Sequence, residues 1–263
     1  FSILFGLAMT LAGEPGQKLI GVFQDLNSVI MRLVMMLMNL APYGVFCLIA
    51  KVFAVQGFGA FERLVQYFLV VLGVLLLHAL LVYPTLLRVL AGLDPLTFFR
   101  KMRDPIALAF STASSNATLP VTLENAERRL GASNSVASFT IPLGATINMD
   151  GTAIMQGVAT VFIAQAYGVD IGMTGYLMVV LTATLASIGA AGVPSAGIII
   201  LVVVLEGVLA GSGVDPAAGI ALILGVDRIL DMCRTAVNVT GDLTAAAVIE
   251  RSEYEHALRG GDR

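Results

Sequence analysis

The pattern of apolar and polar positions divides the chain into long uncharged runs and polar interruptions. Residues 33–50 carry no Asp, Glu, Lys or Arg, and neither do residues 64–87. Each run is long enough to cross a hydrocarbon core of roughly 30 Å at about 1.5 Å per residue. The first is predicted to extend back through the more amphipathic stretch 17–32 and to kink at Pro42. The second contains a single histidine, His78, which is expected to be an ordinary interior or interface residue, because the sequence shows no partner for a site near it.

Two later segments read as broken spans. Residues 105–123 are uncharged and hold Ser111-Thr-Ala-Ser-Ser-Asn-Ala-Thr-Leu-Pro120 at their centre. Residues 171–205 are uncharged and hold Gly189-Ala-Ala-Gly-Val-Pro-Ser-Ala-Gly197. Glycine, proline and small hydroxyl residues at mid-depth suit a re-entrant hairpin, two half-helices meeting at a non-helical tip. Such backbone is tolerated there only where it lines a cavity or is buried in protein. A pair of kinked ordinary spans is the alternative. Each hairpin precedes a long helix, near 134–168 and 214–256. These helices carry related motifs, Asn148-Met-Asp-Gly-Thr152 and Asn238-Val-Thr-Gly-Asp242. Interrupted segments in corresponding positions of two repeats point to a substrate site between them.

Composition agrees. The chain is 57% hydrophobic and 13% charged, against about one quarter charged in a soluble domain. It is predicted to be an all-α membrane protein, with transmembrane helices plus two re-entrant helical hairpins in an inverted repeat. A net charge of −3 gives no reason to expect a nucleic-acid partner. Cys47 and Cys233 suggest neither a disulfide framework nor a metal site. The chain opens at Phe1 inside an apolar run without Met or a signal-peptide layout, which is read as a truncated N-terminus. No Lys or Arg lies between Arg129 and Arg228, whereas Arg88, Arg100, Lys101 and Arg103 follow the second span. The positive-inside rule places those basic parts and the C-terminus in the cytoplasm. The first hairpin then enters from inside and the second from outside.

The candidate chemistry concentrates on the last helix. At 100° per residue, Asp227, Asp231, Arg234, Asn238 and Asp242 share roughly an 80° arc, with Thr235 at its edge. A charge at mid-membrane costs about 2.5–3.5 kcal/mol on insertion scales, so this stripe must face protein or water. A structural ion pair between Asp231 and Arg234 would explain only part of it, leaving Asn238 and Asp242 unused. The stripe is bipolar. Arg234 offers a planar fork for a carboxylate, and Asp231 can take an ammonium group. Asn238 and Asp242, with Asn148 and Asp150, supply hard oxygens that suit alkali cations. Gly144 and Gly151 bracket 146–150, where the backbone is expected to unwind and present carbonyls.

Four motifs in order, Ser114-Ser115 with Thr118-Leu-Pro120, Asn148-Met-Asp-Gly-Thr152, Ala191-Gly-Val-Pro194 and Asp231-Met-Cys-Arg-Thr-Ala-Val-Asn-Val-Thr-Gly-Asp242, resemble the dicarboxylate/amino-acid:cation symporters, which include the excitatory amino-acid transporters. The resemblance covers essentially the whole chain. It implies a glutamate-transporter-like fold and a symporter, not an enzyme, moving L-glutamate or L-aspartate with sodium ions and without an organic cofactor. Arg234 would bind the substrate's side-chain carboxylate and Asp231 its amino group. Thr152, Thr235 and Asn238 would add polar contacts, and backbone at Ser115, Val193 and Gly197 would close the site. Sodium ligands would fall at Gly144, Asn148, Asn238 and Asp242 for one ion. A second ion would use Thr146, Ser187, Ile188 and Ala190 beside Met149, and a third Asn148 and Asp150 with an earlier helix. Residues 1–56 would be the remnant of a trimerising scaffold in a homotrimer of the cell membrane. Residues 57–263 would be a transport domain moving like an elevator, with hairpins at about 95–130 and 172–210.

The chain departs from the family pattern at Asn116, where the serine-rich tip has another serine, and at Ala113 and Met232, where many members place an arginine. Within the family the rival is a proton-coupled glutamate or C4-dicarboxylate symporter. Asp231 argues against a dicarboxylate, which has no amino group. Asp242 argues for sodium, since proton-coupled members resemble one another in a neutral residue there. An intramembrane hydrolase would need a general base near Ser114 or Ser115, and none is evident. An ion channel would not require the Arg/Asp pair.

Overall fold

Helical periodicity is realised throughout. The computed structural model describes residues 2–40, 43–44, 46–47, 50, 54 and 59–260, and these contain helices and turns but no strand. The expected kink at Pro42 and the expected boundary between residues 56 and 57 lie outside the described residues. The chain falls into two compact units, Phe1–Cys47 and Leu48–Arg263. In the first, helix α1 (Ser2–Leu11) is followed by α2 (Glu14–Met38), which covers the amphipathic stretch and the start of the first uncharged run.

The second unit opens with α3 (Gly59–Leu77). The helix continues through a π turn at His78–Val82, a short α4 (Tyr83–Leu86) and a second π turn at Leu87–Ala91. Pro84 cannot donate to the preceding turn, and the winding loosens on both sides of it. Residues Glu62–Ala91 form the one helix among the described residues that is long and apolar enough to cross a membrane. Many of its apolar side chains point outward: Leu69, Leu76, Leu77, Leu80 and Leu81 are exposed. In water that would be costly, whereas lipid takes such a surface readily.

Two helix–turn–helix pairs follow. The first joins α5 (Pro95–Lys101), α6 (Arg103–Thr112) and α7 (Ser115–Asn125), the last extended by a π turn at Ala126–Leu130. The second joins α10 (Gly172–Ile188) to α11 (Ala196–Val208). Between the pairs, the helix expected over 134–168 is split into α8 (Asn134–Ile147) and α9 (Asp150–Ala166). Only two residues are unwound there, Asn148 (φ −100°, ψ 69°) and Met149 (φ −108°, ψ 59°). Helix α12 (Pro216–Gly260) runs unbroken for 45 residues.

Packing leaves two hydrophobic clusters. Leu75 of α3, Met155 and Ile163 of α9, Leu201 and Leu205 of α11 and Leu230 of α12 belong to one. Phe98, Met102, Ala109, Ile141 and, from α12, Val239 and Leu243 belong to the other. The polar stripe of α12 crosses between them. Near its far end, Glu250 accepts from the Ser133 N–H at 2.8 Å and from its hydroxyl at 2.9 Å, tying the start of α8 to α12.

Candidate functional site

On α12 the stripe is buried as its arc requires. Asp227, Asp231, Arg234, Asn238 and Asp242 are each less than 5% exposed. Arg234 donates through Nε and Nη2 to Asp231 Oδ1, at 2.9 and 2.7 Å. Its third nitrogen, Nη1, stands 3.6 Å from Asp227 Oδ1 and has no hydrogen-bond partner among the described residues. Stripping a guanidinium of water costs several kcal/mol and is tolerable only with close counter-charges. Here two carboxylates supply them. Asp227 lies on the predicted stripe, but no role follows for it from sequence; in the structure it is a second counter-charge to Arg234 besides Asp231.

The other oxygen of Asp231 is also engaged. Oδ2 accepts from the Ser195 N–H at 2.8 Å, and Arg228 Nη1 is 3.9 Å away. Gly197 lies against the guanidinium so closely that a methyl there would sit 2.8 Å from Nη1. Gln156 holds the Gly197 carbonyl through Nε2 at 3.0 Å. On the α9 side, Asn238 Oδ1 accepts from the Gly151 N–H at 2.8 Å, and its Nδ2 donates to the Thr152 hydroxyl at 3.2 Å. That first bond satisfies one of the N–H groups left over at the start of a helix. Thr235 donates to the Asp231 carbonyl at 2.8 Å.

Ser115, Thr152, Val193, Gly197, Asp231, Arg234, Thr235 and Asn238, all eight residues expected at the substrate site, line one cavity, together with Met149 and Ala190. They come from the turns of both helix–turn–helix pairs, the break between α8 and α9, and α12. The cavity is about 10 Å³, room for about one water.

A second constellation surrounds Asp242. Its Oδ1 accepts from Asn148 Nδ2 at 3.0 Å, and a methyl on Gly144 would collide with the carboxylate. No ion pair to Asp242 is present among the described residues, so this buried carboxylate has no protein cation beside it. A third group forms around Asp150. The Tyr83 hydroxyl lies 3.0 Å from both Asp150 Oδ2 and the Val237 carbonyl. His78 Nε2 stands 3.3 Å from the same Asp150 oxygen, with its ring edge-on to Tyr83. This corrects the expectation for His78: it has a partner, and that partner is a predicted cation ligand. His78 opens the π turn at His78–Val82, and such turns are frequent at functional sites.

The remaining predicted cation ligands are less tightly gathered. The Thr146 hydroxyl bonds back to the Pro142 carbonyl and that of Ser187 to the Thr184 carbonyl. No hydrogen bond among the described residues joins Thr146 to Ser187, Ile188 or Ala190. Cys47 and Cys233 are free.

Known proteins match this chain closely. It is 40% identical over 251 residues to an excitatory amino acid transporter of Caenorhabditis elegans, covering 95% of this chain and 49% of the relative. It is 40% identical over 252 residues to excitatory amino acid transporter 3 of Mus musculus, covering 95% and 47%. It is also 40% identical over 256 residues to the proton/glutamate-aspartate symporter of Escherichia coli K12, covering 97% and 57%. The chain thus spans about half the length of these curated relatives. The model of the sodium:dicarboxylate symporter family matches residues 1–252, and with a bipolar buried site on four converging elements the chain belongs to that family of membrane transporters.

Proposed function

We propose that the whole protein is a secondary active symporter that moves glutamate or aspartate together with sodium ions by elevator-type alternating access. The observation that carries this reading is the convergence of the eight residues on one cavity, where Arg234, a donor to a carboxylate, stands next to Asp231, an acceptor for an ammonium group. In this reading Arg234 takes the side-chain carboxylate of the substrate, and Asp231 its amino group. Thr152, Thr235 and Asn238 orient it, and backbone at Ser115, Val193 and Gly197 closes over it. The two helix–turn–helix pairs are re-entrant hairpins of an inverted repeat. The helices of the first pair support this: α6 and α7 have 10 and 11 residues, about 15 Å of rise each, half of a bilayer core. Residues 1–56 belong to the scaffold of a homotrimer and residues 57–263 to the moving domain, with the C-terminus cytoplasmic.

Sodium is carried as a co-substrate. The uncompensated burial of Asp242, with Gly144, Asn148 and Asn238, fits a cation held by hard oxygens. Asp150 with Asn148 fits another, and Thr146, Ser187, Ile188 and Ala190 beside Met149 a third. Glutamate enters with a charge of −1, which a negative-inside potential opposes by about 2.3 kcal/mol per 100 mV; two or more cations turn that penalty into a driving force. The second reading is proton coupling, favoured by the name of the Escherichia coli relative.

Aspartate uptake by the full-length protein in liposomes, with sodium and proton gradients imposed separately, decides between the readings. Uptake driven by sodium alone is expected; uptake indifferent to sodium overturns the first reading. Competition curves test the substrate. Arg234→Cys should lose roughly 2–5 kcal/mol of aspartate binding and spare serine or alanine, whereas Asp231→Asn should lose all of them. An Arg234→Cys variant that binds aspartate within a few-fold of wild type removes the assignment.

A further inference from the structure

The second tip, residues 189–195, is tied to the rest of the site through its main chain. The Gly192 carbonyl accepts from the Ser114 hydroxyl at 2.7 Å and from the Asn116 N–H at 3.0 Å. Three residues further on, the Ser195 N–H donates to Asp231 Oδ2 at 2.8 Å. Ser195 makes that bond from left-handed backbone, φ 63° and ψ 4°. It is one of two non-glycine residues at positive φ among those described. A Cβ disfavours that conformation, and such outliers persist only where their surroundings hold them.

Asp231 therefore has both oxygens in use, Oδ1 by Arg234 and Oδ2 by Ser195. The cavity beside it, about 10 Å³, has room for about one water, and an acidic amino acid is several times larger. Entry of such a molecule requires the tip to move, and the bond most directly in its way is the one from Ser195 to Asp231.

We infer that the Ser195 N–H and the ammonium group of the substrate compete for Asp231 Oδ2, so that Ser195 is a positioning residue that sets how readily the second tip releases the site. This rests on the reading of Asp231 as the ammonium acceptor. The left-handed backbone of Ser195 weighs against the fastening, and release of the Asp231 bond lets that strain relax. A tip fastened without strain would yield less readily to an incoming ammonium group. The Ser195 hydroxyl makes no hydrogen bond among the described residues, so the device lies in the main chain and in the presence of a Cβ.

The test changes the left-handed penalty while keeping the N–H. A cysteine at the exposed Ala191, in the full-length protein with Cys47→Ser and Cys233→Ser, reports opening of the tip through its rate of reaction with an impermeant thiol reagent. Ser195→Gly removes the penalty and should slow that reaction about fivefold, with a similar loss of aspartate affinity. Ser195→Val, whose branched Cβ is least tolerant of positive φ, should speed it by a similar factor. Ser195→Ala keeps both N–H and Cβ and should leave it unchanged. Rates measured without aspartate test the fastening, and slowing of the wild-type rate by aspartate plus sodium tests the substrate reading. If aspartate protects the wild type but the three variants all react at the wild-type rate, the inference falls alone. If the variants differ in the stated order but aspartate never slows the wild type or competes for binding, the glutamate/aspartate reading falls and the competition at Asp231 with it.

Discussion

The turns of the two helix–turn–helix pairs, the first and second tips, share an architecture and are secured in opposite ways. The first is a two-residue turn, Ala113 and Ser114, between α6 and α7. It is held by its own residues: the Ser114 hydroxyl accepts from the Ala117 N–H at 3.2 Å, and the Thr118 hydroxyl donates to the Ser114 carbonyl at 2.8 Å. The second spans residues 189–195, and α11, which leaves it, has no side-chain cap at its start. Beyond single main-chain turns, its bonds go to other elements, to Ser114 and Asn116 on one side and to Asp231 on the other. A segment secured from outside can open without unfolding its own helices, whereas one secured from inside cannot. Mobile gates are drawn from the less self-sufficient parts of a structure, and on that ground the second tip is the one we propose as the gate.

The largest effect expected from breaking the comparison is at Gly192. A Cβ there would lie 2.6 Å from Asn116 Oδ1 and 3.2 Å from the Asn116 backbone N. The side-chain amide can swing away, but the main chain has less room. Gly192→Ala should cost the contact between the tips about 1–3 kcal/mol, seen as a rise of roughly five- to a hundredfold in labelling of a cysteine at Ala191. Gly189→Ala is the control, because its Cβ would meet only the Ala186 carbonyl at an ordinary 3.6 Å. Adding Asn116→Ala to Gly192→Ala should restore much of the slow rate. Equal labelling of the Gly189 and Gly192 variants would show that the tips do not lean on one another.

A smaller effect is expected at Ser114, which belongs to both kinds of fastening. Ser114→Ala removes the cap of α7, worth about 1 kcal/mol, and one of the two bonds to the Gly192 carbonyl. Thermal unfolding in detergent should fall, and labelling at Ala191 should rise a few-fold. Ser195→Ala, which removes no cap, should change neither. Similar melting temperatures for the two alanine variants would mean that the first tip is no more self-secured than the second.

Much of this was legible in the sequence wherever the signal was periodic or compositional. The stripe on α12 follows from residue spacing on one helix, and both tips follow from runs of Gly, Pro and Ser that a straight helix would not carry. The unwinding between Gly144 and Gly151 was also anticipated, although it is confined to Asn148 and Met149. Pairings across the fold were not legible. His78 and Tyr83 precede Asp150 by 72 and 67 residues, and no local pattern links them. Asp227 had the right phase on the stripe, but its place opposite Arg234 depends on how the arginine side chain lies. The bond from Ser195 to Asp231 uses a backbone N–H, which every residue but proline carries, so side-chain chemistry could not announce it.

The smallest effect sharpens the same contrast at the start of the first pair, where Asp94 caps α5. Its carboxylate accepts from the Thr97 N–H at 2.8 Å, and Asp94 lies beyond the apolar span that ends at Ala91. Hydrogen bonding to the Thr97 side chain and then to its backbone holds the Asp94 carboxyl below its usual range, with a lesser contribution from Arg88. A depressed folded-state value means that the ionised cap stabilises the helix fully above the ordinary aspartate range, about 4. The contribution fades as pH falls through the depressed value. Asp94→Asn keeps an acceptor for the Thr97 N–H but loses the charge that favours a helix start. The variant should therefore melt slightly below wild type at neutral pH and converge on it in acid. Asp94→Ala, lacking the acceptor as well, should stay lower throughout. Ile171, the residue before α10, makes no side-chain cap bond, and the bond from the Gly172 N–H to Asp170 Oδ1 is kept in both proteins, so Ile171→Ala should leave no pH-dependent gap of this kind. The measurement is the melting temperature of all three variants from neutral pH to about pH 3. A gap between wild type and Asp94→Asn that stays constant across that range would show that the charge of Asp94 plays no part in securing the first pair.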